Sequence, residues 1–307
     1  MKRRQTFGPD LATRLTQFLN QPEDTNQAQR LFHGRGHAYD GLEHVAVDWL
    51  PPVALITLYA PEPQSEIETL AEYLMEISPN CTSVQLQHRY LQSGPIDVIK
   101  GDEVSEIVIL EDDLKYHLSL GKARNTGLFL DMKEGRRWVR SHSKNLRVLN
   151  LFAYTCGFSV AAIAGGAHSV LNVDMSSAAL STGRENHRLN QHPLDNLRFE
   201  KLDIFKSFGR LAKRGPFDLL ICDPPTFQKG SVDIAKDYPK ILRRLDQFMA
   251  PGATVMLCLN APNLSREFLV ENMAELAPKY GLIRELRPPE VFVETENKGL
   301  KIIIFKR

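Results

Sequence analysis

Cysteine is scarce in this chain. Cys81, Cys156, Cys222 and Cys258 are its four, with no C-x-x-C pair and no histidine at zinc-ligand spacing. That pattern offers no thiol-based zinc motif, and isolated thiols suit a reducing cytoplasm better than a disulfide framework. An excess of charge of one sign is also lacking: 38 Lys and Arg stand against 37 Asp and Glu, a net charge of +1. A whole-molecule pull on nucleic acid or membrane is therefore excluded, and any polyanion site must be a local patch. No apolar run approaches the length of a bilayer span. The basic start, MKRRQTFGPD, is followed by no apolar stretch and does not read as a signal peptide. Internal repeats and low-complexity segments are missing too. The expectation is a cytoplasmic globular protein, and 307 residues with 43 % hydrophobic content suffice for two cored domains.

From Asn145 onward strands and helices alternate. Strands are expected at 146–154, 169–175, 197–203, 216–223 and 253–260. Helices are expected at 158–167, at 176–191 with Ser176 as N-cap, around 235–249 and at 263–281. Two closing strands, near 283–287 and 299–307, have a short connection and should be antiparallel. This alternation implies right-handed crossovers and an α/β, doubly wound, mostly parallel seven-stranded sheet. The first hundred residues follow another rhythm, strand 53–61, helix 63–78 and strand 83–90, which reads as a small α+β unit. EIVILEDDLKYHLSLG (106–121) reads as a hairpin. The domains expected are 1–105, a connector over 106–132 and the α/β domain over 133–307.

The chemistry gathers at strand ends. The loop LFAYTCGF (151–158) lacks the G-x-G-x-x-G of a dinucleotide fold and has Gly157 alone, which argues against a cradled pyrophosphate. It suits a ligand whose charged part is an amino acid. Asp174 closes the next strand, where a carboxylate can accept both hydroxyls of a ribose; an acid capping the following helix is the plainer alternative. Asp203, in KLDIF, ends the third strand and is placed to meet an adenine amino group, with Ile204 and Phe205 packing on the ring. The fourth strand, LLIC, is an unbroken apolar run buried on both faces, and it stops in Asp223-Pro224-Pro225-Thr226-Phe227. Two prolines end the ladder and fix a rigid loop, and Phe227 offers a face for a planar base.

VLNLFAYTCGF, VDMS, LDIF and DPPTF, in this order, resemble the signature of class I S-adenosylmethionine-dependent methyltransferases. More narrowly, they are similar to the bacterial large-subunit (23S) ribosomal RNA methyltransferases that modify cytosine C5 or guanine N7. TGLFLD (126–131) and RLFHGRGHAYDGLEHVAVD (30–48) extend the resemblance over the chain from about residue 30. It implies S-adenosyl-L-methionine as cofactor and no metal. Asp174 would lie at the ribose, Asp203 and Ile204 at the adenine, Phe152 and Gly157 beneath the methionine moiety, and Phe129 and Asp131 on the opposite side, with Met175 and Asp223 also in contact with the cofactor. Asp223, Pro224 and Phe227 would form the transfer site. The implied partner is RNA, recognised by the small N-terminal region, since no further RNA-binding domain is evident; no membrane is implied.

Cytosine-C5 transfer needs a thiolate that adds to C6. The cysteine of that branch would fall on Leu259, and this chain has Cys258 one place earlier, which on a strand turns it to the other face. Cys222 alternates away from Asp223. Direct transfer to a ring nitrogen, driven by proximity and orientation, is therefore favoured. Arg30 and Arg35 in and beside HGRGH, with Lys298 and Lys301, are candidate phosphate contacts, although a solvated loop is the plainer reading. Arg136, Arg137 and Arg140 read as a basic helix face. The alternatives are a methyltransferase of the same fold acting on a protein or small molecule, and an inactive cofactor-binding RNA assembly factor.

Overall fold

The computed structural model describes residue 11 and residues 25–78, 80–225, 227–228, 232–295 and 299–307. They form two compact units, divided after Leu130, with residues 290–295 returning to the first.

The first unit holds a sheet in the order β1-β2-β3-β4-β5: β1 Gln29–His33, β2 Val45–Leu50, β3 Val53–Leu58, β4 Ser83–His88 and β5 Ile96–Gly101. All pairs are antiparallel except β3 and β4, which run parallel because helix α1 (Gln64–Ile77) makes the crossover. Ile67, Leu70, Ala71, Leu74 and Ile77 recur at helical spacing on α1 and pack with Trp49, Val47, Ile56 and Leu86 in one core. Hairpin β6–β7 (Glu106–Glu111, Leu114–Ser119) turns on Asp112 and Asp113, with φ of 49° and 69°. That is the turn whose twist matches paired strands, and Asp is among the side chains that tolerate it.

HGRGH is a packing device here, in place of the phosphate contact considered from sequence. A Cβ on Gly34 would lie 1.7 Å from the Leu42 carbonyl oxygen, and one on Gly36 1.8 Å from that of Val293. Arg30 pairs with Asp48 at 2.5 Å and lies over the Phe292 ring at 5.0 Å, while Arg35 covers Tyr59 at 4.1 Å.

The second unit is built on a seven-stranded sheet in the order β10-β9-β8-β11-β14-β16-β15. The strands are β8 Arg147–Leu151, β9 Ser169–Asp174, β10 Leu197–Lys201, β11 Phe217–Cys222, β14 Met249–Leu259, β15 Gly281–Leu286 and β16 Lys301–Lys306. Two-residue strands β12 (Phe227–Gln228) and β13 (Val232–Asp233) pair with each other beside it. β16 is antiparallel to both neighbours and the other pairs are parallel, so the closing pair runs as its short connection requires.

Both faces of this sheet are covered, which accounts for the unbroken apolar runs. Leu219, Ile221, Met256, Cys258, Ile302 and Ile304 enter one core, and Leu220, Cys222, Leu257, Leu259, Ile303 and Phe305 the other. The helices are α2 Lys133–His142, α3 Gly157–Ala164, α4 Ser177–Leu189, α5 Phe208–Arg214, α6 Ile234–Leu242, α7 Leu245–Phe248 and α8 Arg266–Leu276. The helix expected around 235–249 is two pieces broken at Arg243 and Arg244, and Met249 already pairs with Phe217. Lys301, a candidate phosphate contact from sequence, is buried and donates to the Leu264 carbonyl at 3.1 Å; Lys298 lies outside the described residues. Among the described residues no helix is long and apolar enough to cross a membrane.

Candidate active site

Strand order reverses between β8 and β11, and parallel α/β sheets open a crevice beyond the carboxyl ends of their strands at such a point. The loop leaving β8 is bent in an unusual way. Phe152, Tyr154 and Cys156 have φ of 57°, 47° and 63°, and the residues between them do not share that sign. The amides inside this bend brace it: that of Ala153 donates to the Val173 carbonyl at 3.0 Å and that of Cys156 to the Ala153 carbonyl at 2.7 Å. Helix α3 then begins at Gly157.

Asp174 holds this loop. Its Oδ2 accepts from the Tyr154 amide at 2.8 Å and its Oδ1 from the Ser176 amide at 2.8 Å. Ser176 caps α4 as expected, its Oγ accepting from the Ala179 amide at 3.1 Å. One carboxylate thus ties the end of β9 to the β8 loop and to the next helix. Met175, beside it, is 54 % exposed.

A buried polar chain lies beneath. Asn150 on β8 donates to Asn172 on β9 at 2.9 Å, Asn172 donates to Ser159 Oγ on α3 at 3.0 Å, and Ser159 meets His187 Nε2 on α4 at 2.9 Å. Burial and the neighbouring His192 hold the His187 imidazole neutral, with its pKa lowered to about 3. Four elements are thereby locked in one register under the loop.

Gly183 completes the support. A Cβ there would lie 2.4 Å from Cys156 Sγ. A glycine inside SAALSTGRENHRL is the sequence signal that something packs closely on it, and that something is the loop. Gly183→Ala is expected to displace residues 152–156 and weaken S-adenosylmethionine binding about tenfold, as titration calorimetry would report. Unchanged affinity would mean that the loop does not form the site.

At the end of β10, Asp203 Oδ1 accepts from the Phe205 amide at 3.0 Å and starts the turn Ile204–Lys206. Ile204 is 3 % exposed and belongs to the core, so the apolar surface next to Asp203 is Phe205, tilted 6.2 Å from the Phe152 ring.

At the end of β11, Asp223 follows the face that carries Ile221, and Pro224 is buried. The Asp223 carboxyl is pushed up to about 7, by burial first and by repulsion from Asp131 second, with Arg136 opposing. Arg136 is 4 % exposed. The basic helix face read from the sequence is corrected here: Arg137 is exposed and paired with Glu134 at 2.7 Å, whereas Arg136 turns inward within the field of Asp223. The Tyr238 hydroxyl lies 3.0 Å from the Cys222 carbonyl oxygen and 2.5 Å from that of Cys258, fastening β11 to β14 behind the DPP bend. Cys258 and Cys222 are fully buried, and burial pushes both thiols well up. Neither presents a thiolate.

Phe129 is an exposed residue of the first unit and Asp131 belongs to the second. The Phe227 side chain and Thr226 lie outside the described residues.

The site fits an adenosyl amino acid. It offers the N-terminus of α3 for a carboxylate, an acceptor at the end of β9 for ribose hydroxyls, an acid and an aromatic at the end of β10, and a further acid at the end of β11.

Comparison with known proteins shows the family and the fold. Residues 29–306 match the family of S-adenosylmethionine-dependent methyltransferases. YwbD of Bacillus subtilis, provisionally named a ribosomal RNA large subunit methyltransferase, is 29 % identical over 94 % of this chain and 76 % of its own. Ribosomal RNA large subunit methyltransferase I of Aeromonas salmonicida is 28 % identical over 76 % of this chain and 61 % of its own, so the chain spans about three fifths of that relative. A provisional S-adenosylmethionine-dependent methyltransferase from Streptococcus mutans has the same fold, with a TM-score of 0.82 at 22 % identity over 97 % of this chain and 81 % of its own.

Proposed function

Because the chain belongs to the S-adenosylmethionine-dependent methyltransferase family, we propose that it methylates a base of RNA, within large-subunit ribosomal RNA, by direct transfer to a ring nitrogen. The names of its relatives support the RNA class. The observation that carries the route is the state of Cys258: fully buried, with its thiol pushed far above neutrality, it cannot add to a pyrimidine. A nitrogen lone pair needs no covalent catalyst, and catalysis then rests on orientation and on charge placed near the reacting centre.

The cofactor supplies a methyl group activated on a sulfonium sulfur. Asp174 accepts the ribose hydroxyls while keeping the Tyr154 amide in place. Gly157, at the N-terminus of α3, would hold the methionine carboxylate, with Phe152 beneath it and Met175 against the ribose. Asp203 accepts from the adenine amino group and Phe205 packs on the ring, a role that Ile204 supports from the core. Asp223 and Pro224 would border the transferred methyl, Phe227 would present the base, and Asp131 would lie on the opposite side. Residues 1–105 contact RNA, 106–132 serve as connector and 133–307 carry the transfer.

The test is incorporation of labelled methyl from S-adenosylmethionine into ribosomal RNA from a strain lacking the gene, followed by nucleoside mass analysis. Label in a ring-nitrogen methylated nucleoside is expected, and Cys258→Ala should keep kcat within twofold of the parent. Label appearing in protein alone would refute the RNA assignment. A C5-methylated cytosine, or a kcat lost with Cys258→Ala, would refute the direct route.

A further inference from the structure

The loop between β4 and β5, RYLQSGP (89–95), sits in the first unit beside the exposed segment GKARN (121–125), and two arginines clasp them. Arg124 donates to the Gln92 carbonyl at 3.1 Å and to the Arg89 carbonyl at 2.9 Å. Arg89 in return donates to the Arg124 carbonyl and, at 3.1 Å, to Asn125 Oδ1. Gln87 Nε2 also reaches the Arg124 carbonyl, at 3.0 Å. Every acceptor of these two guanidiniums is a neutral oxygen. Their charges are therefore fixed in position yet, among the described residues, paired with no carboxylate, and each keeps N–H groups for an outside acceptor.

An aromatic follows Arg89 in the chain. Tyr90 is 39 % exposed and Leu91 45 % exposed. The Tyr90 ring is held edge-on to His88 at 5.6 Å, its hydroxyl lies 2.9 Å from His88 Nδ1, and His88 Nε2 is 2.8 Å from Asp97. A solvent-facing ring tied by such a chain carries little of the entropy that stacking would otherwise remove. Clasped cations beside a fixed, open aromatic make a platform on which a base stacks while neighbouring phosphates meet the guanidiniums.

We propose that Arg89, Tyr90 and Arg124 form a docking site for single-stranded RNA, separate from the strand-end crevice. The proposal rests on the reading of RNA as substrate and names where the strand is held. The net charge of +1 makes a local site of this kind necessary for binding a polyanion.

The test uses the full chain and a fluorescein-labelled single-stranded RNA dodecamer, read by anisotropy from 50 to 300 mM salt. Tyr90→Ala is expected to weaken binding about tenfold and Tyr90→Trp to restore it. Arg89→Gln with Arg124→Gln should reduce the slope of log affinity against log salt by about 1.4, which is roughly 0.7 for each lost phosphate contact. Retained affinity for S-adenosylmethionine in each variant shows that the fold is intact. Parent-like binding and slope in all variants, while the parent methylates RNA, would overturn the docking site and leave the function standing. A parent chain that neither binds nor methylates RNA would overturn both.

Discussion

Asp174→Ala should lower affinity for S-adenosylmethionine at least a hundredfold. The carboxylate has two tasks on the same atoms. It accepts the Tyr154 and Ser176 amides, each at 2.8 Å, and each oxygen keeps acceptor capacity for an outside donor at the end of β9. Removing it deletes the acceptor for two ribose hydroxyls and frees the loop whose alternating backbone shapes the methionine end. A hydrogen bond to a charged group contributes about 1.5–3 kcal/mol, so two such bonds already exceed a hundredfold. Calorimetry on the variant checks this, with circular dichroism establishing that it folds. Affinity within tenfold of the parent would remove Asp174 from the site.

The second large effect concerns Asp223. Its carboxyl, raised to about 7 by burial and by Asp131, is mostly neutral in mild acid and mostly ionised in mild alkali. An ionised carboxylate attracts a sulfonium but has no such hold on the neutral thioether of S-adenosylhomocysteine. The preference for S-adenosylmethionine over S-adenosylhomocysteine should therefore rise about tenfold as pH increases from 6 to 8. Asp223→Asn should abolish that rise, and Asp223→Ala should lower kcat about a hundredfold.

The same shift has a sign in stability. The folded carboxyl binds a proton that the unfolded chain, with an ordinary Asp, releases near 3.8. Folded chain thus holds more protons between about 4 and 7, and stability falls as pH rises through that window. Asp223→Asn copies the neutral form, so its Tm should exceed the parent's above pH 7 and match it near pH 4. Competition binding across pH, with thermal melts alongside, measures both. A preference ratio that is flat with pH in the parent would contradict the placement of Asp223 beside the sulfonium.

The catalytic sheet was legible in the sequence because both of its faces are buried. LLIC and IIIF are continuous apolar runs, and each ends where a polar residue meets the crevice or solvent. Ser176 was legible because capping is local chemistry. Strands β1, β2 and β5 were not. VAVDWL hides its alternation, since it is buried almost throughout and its one acid is paired with Arg30, while IDVIKG is a largely exposed edge with little pattern to read.

At the site, the strand-end acids could be found from position alone. The inward turn of Arg136 could not, because the acid whose field it enters, Asp223, is 87 residues away in sequence (223 − 136) and brought near by the sheet. Ile204 and Phe205 are adjacent and both apolar, and only the turn after Asp203 decides which enters the core. Gly183 left a mark in the sequence as a helix glycine, but its partner, the Cys156 sulfur, needed the fold.

The central claim is that four adjoining strand ends enclose an adenosyl amino acid with its sulfur at the DPP bend. A crystal structure with S-adenosylhomocysteine bound tests it most directly. The account predicts both ribose hydroxyls within hydrogen-bond distance of the Asp174 carboxylate and the thioether sulfur next to Asp223. A ribose bound away from Asp174, or a sulfur turned from Asp223, would contradict it.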